Sequence, residues 1–430
     1  MRAWTLAAVL STSLLGCADP PPNPDPPNPP SSNDPAFKIN GLRDWYVMPD
    51  AAQPGTNQMT FIIQAPSGSD YVDAYIPGLD VKRMHDQSDG FALDVDITAV
   101  PVGTHDILFT ANGSTTAFAK ATFHRSMPYY VLVTTDYDFS DPGNQSIMYM
   151  DSLHTNHPGM LITHFWAPYT YTDSAVTPAR RDELDAWIKK QRDEHHDEIG
   201  LHIHPYCNFV ETAGIACITD QSTVYPEDTT GYTINLSAYG YDGMNALLQR
   251  AAQIFGERGL GTPQTFRAGG WTANINTLQA LNDNGYVADT SALNWAKIEE
   301  WSGKELYTWN QTNWSQINDT SQPYHPSTTD PQVSIPGADM GMLEVPDNGV
   351  MIDYVTSAEM SGLFDANWDG EPLAAPKTLM MGFHPAGGFR NSEYLRVDGF
   401  LSYAEQHLGS VGTGPVVYVT LSQLSAVYPP

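Results

Sequence analysis

Two carboxylates one residue apart close an apolar run. Tyr129-Tyr130-Val131-Leu132-Val133 reads as a buried strand, and Thr134-Thr135-Asp136-Tyr137-Asp138 follows it. Three further strand-like runs end in polar groups: Ile199-Gly200-Leu201-His202-Ile203-His204-Pro205, Thr265-Phe266-Arg267-Ala268-Gly269-Gly270-Trp271 and Met380-Met381-Gly382-Phe383-His384-Pro385. Each alone has an ordinary explanation. A strand-end Asp caps a turn, a lone His is a satisfied core or surface group, and an Arg pairs locally. Four such ends on separate strands point to a site. One carboxylate with two imidazoles is a common ligand set for a divalent metal with open positions. A second carboxylate beside the ion could take a proton from water. An Arg could keep that carboxylate charged and oriented. A distant His could protonate a leaving group, and backbone N–H groups in Gly269-Gly270-Trp271 could face a developing oxyanion. The chemistry implied is metal-assisted hydrolysis of an acyl bond.

These residues need elements that bring them together. From Met127 onward, strand-like runs alternate with helical ones. Strands are predicted at Tyr130–Thr135, Met160–Phe165, Ile199–His204, Gln264–Ala268, Thr378–His384 and Val416–Leu421. Helices are predicted at Pro178–His195, with Leu184, Trp187, Ile188 and Gln191 as inner edge, at Gly243–Arg258 and at Ile275–Asn284. Such alternation predicts an α/β fold, a parallel sheet with crossover helices. At this length a (β/α) barrel fits, whose strand ends meet on one rim. Thr308 to Pro336 is polar and reads as a long loop over one face. Residues 36–126 differ: short alternating runs such as Met59–Ile63, Tyr71–Ile76, Phe91–Ile97 and His105–Ala111, separated by Gly, Pro, Asn and Asp, predict a small immunoglobulin-like β-sandwich. That segment serves as a spacer or a glycan-binding module.

The N-terminus has one positive charge, a short apolar stretch and Leu14-Leu15-Gly16-Cys17, which resembles a bacterial lipobox. That resemblance implies cleavage before Cys17, lipidation of its thiol, and an exported protein anchored to the cell envelope at the outer membrane or cell surface. The alternative is a plain secretory signal that contains a Cys. Residues 18–35, rich in Pro, Asn, Asp and Ser, predict an extended tether. In polyproline II form, at ~3.1 Å per residue, it reaches about 50 Å. The membrane is thus a partner only through the lipid. The balance of 20 Lys+Arg against 49 Asp+Glu gives a formal charge of -29, which repels nucleic acid and acidic glycans and suits a neutral or cationic partner. The same charge serves solubility alone equally well. Cys207 and Cys217 lack metal or redox spacing. In an oxidising compartment they predict a disulfide over two buried thiols.

From Tyr129 to the C-terminus, the order and spacing resemble the polysaccharide deacetylases of carbohydrate esterase family 4, the NodB-homology group. Thr135-Asp136-Tyr137-Asp138 is similar to the family's first motif. The resemblance makes Asp136 the catalytic base and Asp138 a metal ligand. Glu198-Ile199-Gly200-Leu201-His202 is similar to the lead of the second motif, so His202 is a ligand. Tyr206 stands where the family's second His is expected, and His204 is taken as the third ligand. A two-ligand site completed by water is the competing reading. Arg267 to Trp271 resembles the third motif, with Arg267 orienting Asp136. Gly285 to Ser291 resembles a further family segment, and Trp295 is expected to line the sugar groove. Asn294 stands where the family often has Asp, which leaves open what tunes the catalytic His. Met381-Gly382-Phe383-His384 resembles the last motif, with His384 as general acid. Met342-Leu343-Glu344-Val345-Pro346 resembles a structural strand.

The resemblance implies a divalent-metal-dependent deacetylase, with zinc first and cobalt or nickel as alternatives. It would hydrolyse N-acetyl groups of an acetylated extracellular polysaccharide. Two other readings stand beside it. One is a deacetylase-like glycan-binding lipoprotein without turnover. The other is an amidohydrolase acting on a non-sugar amide.

Overall fold

The computed structural model describes residues 25–30, 37–385 and 389–430. The lipobox, Cys17 and much of the predicted tether lie outside the described residues. The part of the tether within them is held rather than extended free. Asn28 donates its N–H to the Thr115 carbonyl at 2.9 Å and accepts from the Ala117 N–H at 2.8 Å. An Asn within a run of prolines supplies the donor that its neighbours lack. Among the described residues, no helix is long and apolar enough to cross a membrane.

The chain divides into two compact units. The first draws on residues up to 40, on 61–93 and on 106–121. Its ladders are antiparallel: Ile39–Asn40 with Ile62–Ile63, Val72–Tyr75 with Lys82–Arg83 and with Leu108–Ala111, and His85–Gln87 with Gly90–Ala92. The alternating burial of Gln58–Ile63 and Gly90–Asp96 matches their alternating sequences.

The second unit takes 41–60, 94–105 and 122–430. Among its described residues, eight strands form one parallel sheet: β1 Tyr129–Asp136, β2 Ile162–Trp166, β3 Glu198–Ile203, β4 Thr265–Ala268, β5 Ala288–Asp289, β6 Leu343–Glu344, β7 Lys377–Phe383 and β8 Val416–Tyr418. Their order is β6-β5-β4-β3-β2-β1-β7, and β8 also bonds β1. Every residue of β1 is buried, as expected of a parallel strand covered on both faces. Beyond β6 the chain returns to the other end of the sheet. Ile352 N–H donates to the Gly382 carbonyl, and Gly382 N–H to the Val350 carbonyl, so the sheet curls into a distorted (β/α) barrel.

Among the described residues, seven helices of nine or more residues link these strands: α1 Gly143–Asn156, α2 Pro178–His195, α3 Gly240–Arg258, α4 Ile275–Asp283, α5 Glu305–Asn313, α6 Ser357–Asn367 and α7 Asn391–Ala404. In α2, the Thr177 side chain accepts from the Arg180 N–H, Pro178 opens the first turn, and His196 stops the helix in the left-handed region. Leu184, Trp187, Ile188 and Gln191 are buried, the edge that the sequence spacing predicts. Each fully buried aliphatic side chain of this kind contributes about 1.5–3 kcal/mol. The predicted loop from Thr308 begins within α5 instead. Its Leu306 and Asn310, one turn apart, are buried although the flanking residues are polar.

Candidate active site

The barrel delivers the polar ends of β1, β3, β4 and β7 to one cleft, which encloses about 600 Å³ open to solvent. Asp136, Asp138, His202, His204, Gly269, Gly270, Trp271 and His384 all line it. Asp138 faces the imidazoles: its Oδ1 lies 3.2 Å from His202 Nε2 and 3.4 Å from His204 Nε2. His384 Nε2 stands further off, at 3.9 Å. Each ligand-type imidazole gives its other nitrogen to a backbone carbonyl. His202 Nδ1–H donates to Arg267 O at 2.9 Å, and His204 Nδ1–H to Tyr232 O at 2.8 Å. That fixes the tautomer and leaves both Nε2 lone pairs directed at Asp138.

This donor set suits a divalent ion. Tetrahedral zinc with bonds of about 2.0–2.1 Å keeps its ligand atoms roughly 3.3 Å apart. The separations around Asp138 match that spacing. A second group, His154, His164 and Asp197, does not. His154 Nε2 and His164 Nε2 lie 2.8 and 3.0 Å from Asp197 Oδ2, ordinary hydrogen-bond lengths. Burial would raise the Asp197 carboxyl, but its hydrogen bonds from His154 and His164 outweigh that and hold it at about 2. His164 is fully buried in this triad.

Asp136 meets Arg267, whose Nη1 is 3.0 Å from its Oδ1. Arg267 is fully buried and also reaches Asp347 at 3.5 Å. Trp271 Nε1–H donates to Asp347 at 2.9 Å, and the Val350 N–H does so at 3.0 Å. Val350, a β-branched residue, sits at φ 64°, a left-handed conformation that costs on the order of 1–3 kcal/mol. The bond from its N–H to Asp347 holds it there. Gly269 is required by contact: a Cβ would stand 2.6 Å from the His204 ring.

His384 Nδ1–H donates to Asp353 at 2.8 Å. Burial would lower this imidazole, but Asp138, Asp353 and Asp136 outweigh burial and push it up to about 10. Burial likewise raises Asp138, yet His204, His384 and His202 hold it well below the usual carboxylate range.

Two expectations change. Trp295 does not line the cleft. It lies in a 3₁₀ turn, Trp295–Lys297, and packs edge-on against Tyr307 with ring centroids 5.8 Å apart. Trp301, six residues on, takes the wall position together with Tyr354. The departure at Asn294 also leaves His384 with a partner, because Asp353 supplies it. Asn294 instead donates to Asp319 at 2.7 Å and to the Asn348 carbonyl at 3.1 Å. Cys207 and Cys217 are joined by a disulfide. Asp347, Asp353 and Tyr232 have no motif around them that sequence reading could use.

The sequence matches no protein-family model and no curated protein. Solved structures do resemble it. A Mycobacterium smegmatis chain assigned to the polysaccharide deacetylases is 13% identical, covering 69% of this chain and 89% of that one, with a TM-score of 0.41. A Streptomyces lividans family 4 carbohydrate esterase is 9% identical, covering 71% and 98%, with a TM-score of 0.35. An allantoinase is 13% identical, covering 70% and 89%, with a TM-score of 0.38. Family 4 carbohydrate esterases recur among these structures.

Proposed function

We propose that this protein is a divalent-metal-dependent deacetylase that removes N-acetyl groups from an extracellular polysaccharide. The observation that carries this reading is the division of labour between two carboxylates one residue apart. Asp138 gathers two imidazole Nε2 atoms, while Asp136 is held on a buried guanidinium.

Asp138, His202 and His204 would hold the ion. When bound, it supplies Lewis acidity, polarising an acyl oxygen and making water a stronger acid. Asp136 accepts the proton of the attacking water, and Arg267 keeps it oriented for that transfer. His384, which lines the same cleft, protonates the departing nitrogen from Nε2, while Asp353 holds its Nδ1–H. Trp301 and Tyr354 offer flat apolar surface to a sugar ring. The export signal and lipid anchor expected from the N-terminus would put this activity outside the cell.

The test is acetate release from acetylated chito-oligosaccharides, peptidoglycan and acetyl xylan. Chelated protein is reloaded with zinc, cobalt or nickel beside Asp136→Asn. Metal-restored release that disappears in the variant is expected. Metal uptake with no release from any acetylated glycan would replace the enzyme with a glycan-binding protein.

A further inference from the structure

One loop touches two of the three donors. Residues 222–234 form a hairpin-like turn: Ser222 bridges Ile234, and Thr223 N–H donates to the Thr233 carbonyl at 3.0 Å. Tyr232 lies on it. Its backbone carbonyl accepts from His204 Nδ1–H at 2.8 Å, and its hydroxyl donates to Asp138 Oδ2 at 2.8 Å. Asp138 Oδ1 is the oxygen nearest the two imidazoles, so Tyr232 engages the oxygen that faces away from them.

The loop is fixed where it must be. Cys207 N–H donates to the Thr230 carbonyl at 2.8 Å. Gly231, at φ 90°, passes so close to the 204–207 turn that a Cβ would stand 2.3 Å from the Pro205 carbonyl oxygen. Tyr206 stacks on Tyr232 with centroids 5.3 Å apart and planes 15° from parallel, and Tyr169 packs on its ring at 4.7 Å. Position 206 is where the family resemblance implies an imidazole.

We infer that Tyr232 is a positioning residue for the metal centre, and that Tyr206 is its platform. Together they make His204 a ligand in a chain that has no His at 206. The inference rests on the metal-site reading above and extends it to a dependence of the ligand set on a distant loop. The carbonyl sets the His204 tautomer, and the hydroxyl confines Asp138 to one donor oxygen. The stack keeps both groups in register.

The test is Co²⁺ titration of the whole apo-protein, followed by visible absorption and by chelator competition, with apo melting as the fold control. Tyr232→Phe keeps the stack and the carbonyl but removes the hydroxyl. It is expected to weaken Co²⁺ by ~10- to 100-fold and to shift the d–d bands, with apo melting unchanged. Tyr206→Phe keeps the stack and should bind as wild type, whereas Tyr206→Ala should lose affinity as Tyr232→Phe does. Wild-type affinity and spectrum in Tyr232→Phe would overturn the inference and leave the metal centre standing. Absence of Co²⁺ binding in the wild type would overturn both.

Discussion

Arg267→Met is the most informative single change, because it strips one cation from two buried carboxylates. The guanidinium lies 3.0 Å from Asp136 and 3.5 Å from Asp347, and donates to Thr134 Oγ1 at 3.1 Å and the Thr290 carbonyl at 3.2 Å. At an effective dielectric near 20, each ion pair at such a distance is worth on the order of 5 kcal/mol of Coulomb energy. Desolvation cancels much of that, which is why a buried pair adds little net stability. Removing one partner is different, since the remaining charges stay buried and unpaired. The expected cost is about 3–5 kcal/mol. Urea unfolding followed by tryptophan fluorescence reads it as a midpoint shift multiplied by the slope. The second arm is Arg267→Met/Asp347→Asn. Asp347→Asn alone should destabilise, because a carboxylate facing Arg267, Trp271 Nε1–H and Val350 N–H is lost. In the Arg267→Met background it should stabilise, because it removes a stranded buried charge. That reversal of sign is a coupling energy of neighbours in one network. A loss below about 1 kcal/mol for Arg267→Met, or simple additivity of the two changes, would refute the reasoning.

Further outcomes follow from other parts of the barrel. Asp353→Asn removes the carboxylate that holds His384 Nδ1–H, so turnover is expected to drop by ~10²-fold or more with KM little changed, measured by acetate release. Asp289 and Glu344 are fully buried and face each other across β5 and β6; burial pushes Asp289 up to about 6 and Glu344 well above its ordinary value. The folded state therefore binds protons that the unfolded chain releases, and stability falls as pH rises from about 4 through about 6. Asp289→Asn should flatten that stretch of the wild-type stability curve, and an unchanged slope would disprove the assignment. The Cys207–Cys217 bridge spans a sequence separation of 10, for which loop-closure entropy predicts up to ~3 kcal/mol of stabilisation. Cys207→Ser/Cys217→Ser should lose a comparable amount in urea and also weaken Co²⁺, since the Cys207 N–H anchors the loop that carries Tyr232.

The amino-acid sequence by itself determined the groups that sit at strand ends. Asp136, Asp138, His202, Arg267 and His384 lie in or within a few residues of strand-like runs, and hydrophobic periodicity detects the longer of these. Their convergence follows from the parallel topology that alternating strands and helices impose. The strands β5 and β6 carry no such signal, because two residues have no period. Only the tertiary structure decided who supports the site. Asp347 and Asp353 follow β6, Tyr232 lies between β3 and β4, and each reaches its partner across 28 to 94 residues of chain. Trp295 lies in one 3₁₀ turn, Trp295–Lys297, and Trp301 in the next, Glu299–Trp301, and only Trp301 lines the cleft. Local sequence sets which face of an element is apolar. It holds no record of which loop closes over that element's end, because loop placement depends on packing and hydrogen bonds made by residues distant in the chain.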